Sequence, residues 1–174
     1  MKSRFISLVA ISFLFLCAIS MAATQGRGPS TPEERSKAVQ FAHNLESNPL
    51  GPQAKDERER LTRWLIEIPD ITVDVCPRLL GSKLPERKNY GHEILAQLMY
   101  SEMAFMIENP DKAKDAVAVH SAGVNGSLRV YEVILKDHPK AKSQALDEIV
   151  ARRDKQELKD FVQESLTYCT KRVS

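Results

Sequence analysis

The sequence EILAQLMYSEMAFMIE, at residues 93–108, decides the fold that we predict for this chain. As a helix it would carry apolar side chains round most of its circumference, and such a helix is buried on nearly all sides. The other helical segments carry an apolar stripe that would pack against it. We therefore predict an all-α fold, in which a single domain of five or six helices packs round a central buried helix at about residues 92–108.

The first 22 residues have the three parts of a secretory signal peptide. Lys2 and Arg4 give a positive start, and an almost unbroken apolar run follows at residues 5–19. Ser20 and Ala22 then place small residues at the positions that a signal peptidase reads. Because the apolar run is shorter than the roughly 20 residues that span a bilayer, we favour cleavage after Ala22 over an uncleaved membrane anchor.

Cleavage at this point divides the chain into three parts. We expect residues 1–22 to be the signal peptide, residues 23–30 a flexible leader, and residues 31–174 the single helical domain. The protein would then be exported to a periplasmic or extracellular compartment, without attachment to a membrane after the signal peptide is removed.

The signal peptide also accounts for the net positive charge of the chain. The whole sequence has 25 lysines and arginines and 23 acidic residues, and residues 1–22 contain two of these basic residues and no acidic one. The remaining chain therefore has 23 of each and a formal net charge of zero. A neutral chain lacks the excess positive charge typical of nucleic-acid and membrane-surface binding, so we expect neither as a partner.

Two cysteines, Cys76 and Cys169, remain after cleavage. An even number of cysteines in an exported protein indicates a disulfide, because disulfides form and persist in oxidising compartments. At 100° per residue, Cys169 lies in the middle of the apolar face of the last helix and would point into the core. We predict a Cys76–Cys169 disulfide, and two separately buried thiols are the alternative.

Local signals place the segments before the central helix. Thr31 and Glu34 form a capping box round a proline, which predicts that the first helix begins there. A second helix is predicted at about residues 52–68. Residues 70–76 alternate like a strand, but no second strand is available to pair with them. We therefore predict an extended connector that lays the side chains of Ile71, Val73 and Val75 on the helices.

The segments after the central helix are less clearly divided. Residues 109–137 form either one helix or two, and we favour one because a single apolar stripe runs through Gly126. The small residues at 122–127 predict a tight helix crossing, or alternatively a subunit contact or small groove. A fifth helix is predicted at about residues 139–153, and a capping box of Asp154 with Glu157 predicts the start of the sixth.

The sequence contains no motif of a known catalytic site. It lacks a glycine-rich phosphate loop, G-x-S-x-G, S-x-x-K, the zincin H-E-x-x-H and the haem-attachment C-x-x-C-H. The four histidines do not have the spacing of metal ligands. We therefore predict a protein that is not an enzyme and holds no cofactor or metal, with a structural or interaction role toward a protein partner. These histidines are His43, His92, His120 and His138.

One carboxylate stands on the apolar side of the central helix. Glu102 lies between Leu95 and Leu98 in angle, on the opposite side from the polar stripe. A buried carboxylate needs a cationic or hydrogen-bonding partner, or it takes up a proton. Glu102 is therefore a candidate ligand or acid–base group, and its alternative role is a structural ion pair with Arg129 or Arg63.

The methionines of the central helix suggest a second possible function. Met99, Met103 and Met106 recur at i, i+4 and i+7, and thioethers are suitable ligands for Cu(I). Methionine also fills gaps in ordinary cores, which is the alternative explanation. Together with Glu102, this stripe makes a small-ligand or metal carrier, with its site in the bundle interior, the alternative to an interaction protein.

Overall fold

A computed structural model describes residues 27–81 and 85–171 of the chain. The predicted signal peptide, and the leader up to residue 26, lie outside these residues. The described residues form six α-helices, four short 3-10 turns and no strand, so the predicted all-α fold is confirmed. The helices are α1 (Pro32–Ser47), α2 (Ala54–Glu67), α3 (Gly91–Glu108), α4 (Ala116–Asp137), α5 (Gln144–Asp154) and α6 (Leu158–Lys171).

The central helix is α3, and its burial has a simple cause. Two apolar clusters share it, one on each side. Ile94 and Leu98 belong to a cluster with α4, α5 and α6, while Tyr100 and Met103 belong to a cluster with α1 and α2. Its most extensive contacts are with α4, followed by α1. A helix with a core on either side needs apolar side chains nearly all round, which is the pattern in the sequence.

The segment after α3 confirms that one helix runs through the glycines, but this helix begins at Ala116 and not at the predicted residue 109. A 3-10 turn at Pro110–Lys112 comes first, and α4 begins at Ala116 after Asp115, whose carboxylate caps the helix by accepting from the Ala118 N–H. The helix then runs without a break through both of its glycines to Asp137. A Cβ on Gly123 would lie 2.9 Å from the Leu98 carbonyl oxygen, so this glycine permits the close crossing of α3 and α4.

The connector and the disulfide join the two sides of the molecule. Residues 71–76 form no helix, turn or strand, and Ile71 and Val73 pack against the cluster of α1 and α2. Val75 does not follow them, since it is 48 % exposed while Cys76 is buried. Asp74 and Val75 are both exposed, so the alternation of inward and outward side chains is broken just before Cys76. Cys76 forms the predicted disulfide with Cys169 of α6, with a Cα–Cα distance of 6.1 Å.

The predicted capping box at the start of the sixth helix is wrong. Asp154 is the last residue of α5, and its carboxylate accepts a hydrogen bond from the Arg153 guanidinium. Gln156 then adopts a left-handed conformation, with φ 63°, which reverses the chain. The helix α6 begins only at Leu158. The new helix start that the sequence motif indicated is therefore present, but it follows a tight reversal and does not use Asp154 as its cap.

Candidate functional site

Glu102 is fully buried and pairs with a histidine. Its side chain has no exposed surface, and the Glu102 Oε1 atom lies 2.7 Å from Nδ1 of His120 on α4. His120 is itself only 7 % exposed. The partner is therefore neither of the arginines that the sequence suggested, and Arg129 instead donates to Glu46 on α1.

A glycine makes room for this pair. If Gly123 carried a Cβ, that atom would lie 2.6 Å from Glu102 Cγ and 2.8 Å from Glu102 Oε1, closer than side chains pack. His120 and Gly123 stand three residues apart on one face of α4, and residues at this spacing are neighbours on a helix surface. This pairing of a histidine with a glycine, on the face that meets α3, is the sequence signal that could have identified His120.

The burial of the pair changes the acidity of both groups. Burial raises the pKa of Glu102 above 4.5, and the hydrogen bond from His120 opposes that shift. The hydrogen bond to Glu102 raises the pKa of His120 above 6.5, and burial opposes it. The negative charge of Asp74, on the connector, raises both pKa values further. Glu102 Oε2 has no hydrogen-bond partner within the described residues, so one oxygen of the carboxylate is desolvated without compensation.

The methionines do not share a cavity with Glu102. Met103 is fully buried in the cluster of α1 and α2, and the partly buried Met99 packs against that cluster too. Glu102 faces α4 instead, because consecutive side chains of a helix point about 100° apart. Neither Glu102 nor these methionines line the groove described next. In residues 27–81 and 85–171, no group of three or more His, Cys, Asp or Glu side chains is arranged to hold a metal ion.

A groove of about 770 Å³ runs along α4, between α1 on one side and the α5–α6 turn on the other. We call it the α4 groove. It is partly open to solvent, and the small side chains of its floor, from three helices, lie beside Phe105. The floor residues are Ala42, Ser101, Ala104, Ala118 and Ala122.

Charged residues line the rim of the α4 groove, and most of them are already paired. Arg129 donates to Glu46 with an Nη2–Oε2 distance of 3.0 Å, and the His43 Nε2 atom lies 2.9 Å from a carboxylate oxygen at the end of α3. Lys112 and Lys159 also line the groove, and neither makes an ion pair with any described residue. The unbalanced charge of the groove is therefore positive.

Comparisons of the chain with protein-family models, with curated proteins and with solved structures find no match. In the part of the chain that the structure describes, none of the helices has both the length and the apolar character needed to cross a membrane. The side chains described above are therefore the basis on which a function is proposed.

Proposed function

We propose that this chain is an exported protein that binds a segment of a partner polypeptide in the α4 groove and does not itself catalyse a reaction. The observation that carries the proposal is the groove itself, which combines a floor of small side chains with two unpaired lysines on its rim. Each of these two features favours a polypeptide of a particular shape and charge.

The shape of the groove suits a helix better than a small molecule. From Ala118 to Arg129 it follows twelve residues of α4, and the eleven steps between them at 1.5 Å each span roughly 16 Å, or three helical turns. Sites for small molecules bury most of the ligand surface in a concave pocket, whereas this groove is open along one side. A floor of alanines and a serine lets a partner helix approach closely, as in helix-in-groove recognition.

The charge of the groove favours an acidic partner. Lys112 stands at one end, and Lys159 stands on the wall that the α5–α6 turn provides. A carboxylate of the partner near either ammonium group would speed association and fix the orientation of the bound segment. Because both lysines are exposed, this attraction would weaken as the salt concentration rises.

One further observation supports export. A Cys76–Cys169 disulfide persists in oxidising compartments outside the cytoplasm and is rare within it.

The proposal is tested by photo-crosslinking in the compartment to which the protein is exported. A photoreactive amino acid replaces Ala118 on the groove floor, and in a matched control it replaces Ile66, which is 79 % exposed on α2. We expect light-dependent adducts with a partner polypeptide from position 118 and few from position 66. Equal yields from the two positions, or adducts from neither, would contradict the proposal.

Charge reversal then tests the chemistry of the groove. We expect Lys112→Glu with Lys159→Glu to reduce the yield of adducts from position 118 by roughly tenfold at low salt, because the attraction becomes repulsion. The control is Lys136→Glu with Lys140→Glu, which makes the same charge change at exposed positions outside the groove. A similar loss in the control pair would show that net charge, and not the groove, determines binding.

A further inference from the structure

We propose that a small pocket between α1 and α2 binds a carboxylate that carries a single aromatic ring or a short alkyl chain. We call it the α1–α2 pocket. Its apolar lining consists of Ala38 and Phe41 from α1 and of Leu61 and Trp64 from α2. None of its lining residues lines the α4 groove, so this inference does not depend on the function proposed for that groove.

The size and lining of the α1–α2 pocket suit one small apolar group. Ala38 and Leu61 are buried, whereas the rings of Phe41 and Trp64 are only partly buried. The volume is about 190 Å³. An apolar cavity of roughly 150 Å³ holds one benzene ring, and sites for larger, drug-sized ligands have volumes of about 300 Å³ or more. The pocket is partly open to solvent, so a polar group of the ligand can remain at its rim.

Two cations stand at the rim of the α1–α2 pocket, one from each helix. Lys37 comes from α1, and its Nζ atom lies 5.7 Å from the centre of the Phe41 ring, in a cation–π contact. Arg60 comes from α2. Both side chains are exposed, and neither makes an ion pair with any described residue. Because a carboxylate pairs with an ammonium or guanidinium group, the rim favours an anionic ligand.

Glu34 also lines the α1–α2 pocket, but its negative charge is already balanced. One of its carboxylate oxygens forms an ion pair with Arg27. The other accepts a hydrogen bond from the Thr31 N–H at 2.9 Å. The charge that remains unbalanced round the pocket is therefore that of the two cations.

The indole N–H of Trp64 is a donor that lacks an acceptor. Its Nε1 atom is buried and makes no hydrogen bond in the part of the chain that the structure describes. The hydrogen bond from the Thr31 N–H is the main cause of the lowered pKa of Glu34, and Trp64 contributes least to it. The indole therefore lies near this carboxylate but outside hydrogen-bond geometry. An acceptor atom of a bound ligand would remove the cost of the unpaired donor.

The test is a titration of the intact oxidised protein with octanoate, followed by the fluorescence of Trp64, the single tryptophan of the chain. Octylammonium is the matched control, because it has the same alkyl chain and the opposite charge. Acetate is a second control, with the same charge and no long chain. We expect a saturable change of emission with octanoate alone. No saturable change with octanoate, or an equal change with either control, would overturn the proposal.

Exposed substitutions test the role of the two cations without disturbing the core. We expect Lys37→Gln with Arg60→Gln to weaken octanoate binding roughly fivefold, because exposed ion pairs are individually weak. The control is Lys136→Gln with Lys140→Gln, which makes the same charge change at exposed positions outside the pocket. Unchanged affinity in the first pair, or an equal loss in the control pair, would contradict the assignment of the ligand to this rim.

Methyl chemical shifts locate the bound octanoate. The signals of Ala38 and Leu61 should move during the titration, whereas that of Ala118, on the floor of the α4 groove, should not. Shifts at Ala118 with none at Ala38 and Leu61 would place octanoate in the α4 groove and overturn the proposal. This outcome is separate from that of the crosslinking experiment, which detects a partner polypeptide.

Discussion

Reduction of the Cys76–Cys169 disulfide should destabilise the domain strongly. The bridge joins residues separated by 93 positions, so it closes a loop that includes α3, α4 and α5. On the chain-entropy relation, a loop of this size stabilises the folded state by about 4–5 kcal/mol at room temperature, since the cross-link restricts the unfolded chain. Single domains have about 5–15 kcal/mol in total, so reduction would remove a large share of the stability.

The assay is urea unfolding of the oxidised and the reduced protein, followed by the fluorescence of Trp64, the single tryptophan of the chain. The control is Cys76→Ala with Cys169→Ala, in which added reductant should have no effect. We expect the free energy of unfolding to be about 4–5 kcal/mol lower after reduction. A difference below about 1 kcal/mol would refute the loop argument and indicate an unfolded chain that is already compact. Two reactive thiols in denaturant without reductant would refute the disulfide itself.

Three further predictions concern single contacts. Gly123→Ala should lower the free energy of unfolding by about 1–3 kcal/mol, because its Cβ would meet Glu102 Cγ at 2.6 Å. The higher helix propensity of alanine would offset up to about 1 kcal/mol of this loss, and a net gain of stability in urea unfolding would contradict the prediction. Tyr131→Phe should lower the free energy of unfolding by about 1–3 kcal/mol, because it removes the hydroxyl that accepts from the Ser143 N–H at 2.8 Å; an unchanged urea midpoint would be inconsistent with that role. Hydrogen bonds from the leader hold the pKa of Asp70 at about 2, so their stabilisation is present above pH 3.8 and lost as the pH falls toward 2. Asp70→Asn should flatten the pH dependence of the urea midpoint in that range, and an equally steep acid loss in this variant would exclude the contribution.

The sequence indicates the helices and the central position of α3 because those features depend on local patterns. An amphipathic stripe has a period of 3.6 residues, and its position along the chain is visible without any knowledge of the fold. The apolar circumference of residues 93–108 likewise requires burial whatever the neighbours are. The disulfide could be predicted too, since only two cysteines lie outside the predicted signal peptide.

The contacts between helices could not be predicted in the same way. The partner of Glu102 depends on how far α4 is shifted along α3, and periodicity does not specify that shift. The sequence therefore indicates an arginine as the partner of Glu102, and it gives no reason to choose His120 from the four histidines. The α4 groove depends on a gap between α1 and the α5–α6 turn, which no single segment encodes. Val75 is exposed because the alternation of the connector breaks before Cys76, and the sequence pattern does not reveal that break.

The position of α3 between two apolar clusters fixes its length. One residue inserted near its middle would rotate the following part of the helix by about 100° and shift it by about 1.5 Å. Met103 would then leave one cluster while Glu102 turned away from His120, so both sides of the molecule would be disrupted at once. The 3-10 turns on either side of α3, at Arg87–Asn89 and Pro110–Lys112, contact it less extensively than α4 does and would absorb an added residue more easily. Variation in chain length is therefore tolerated around this helix, and not within it.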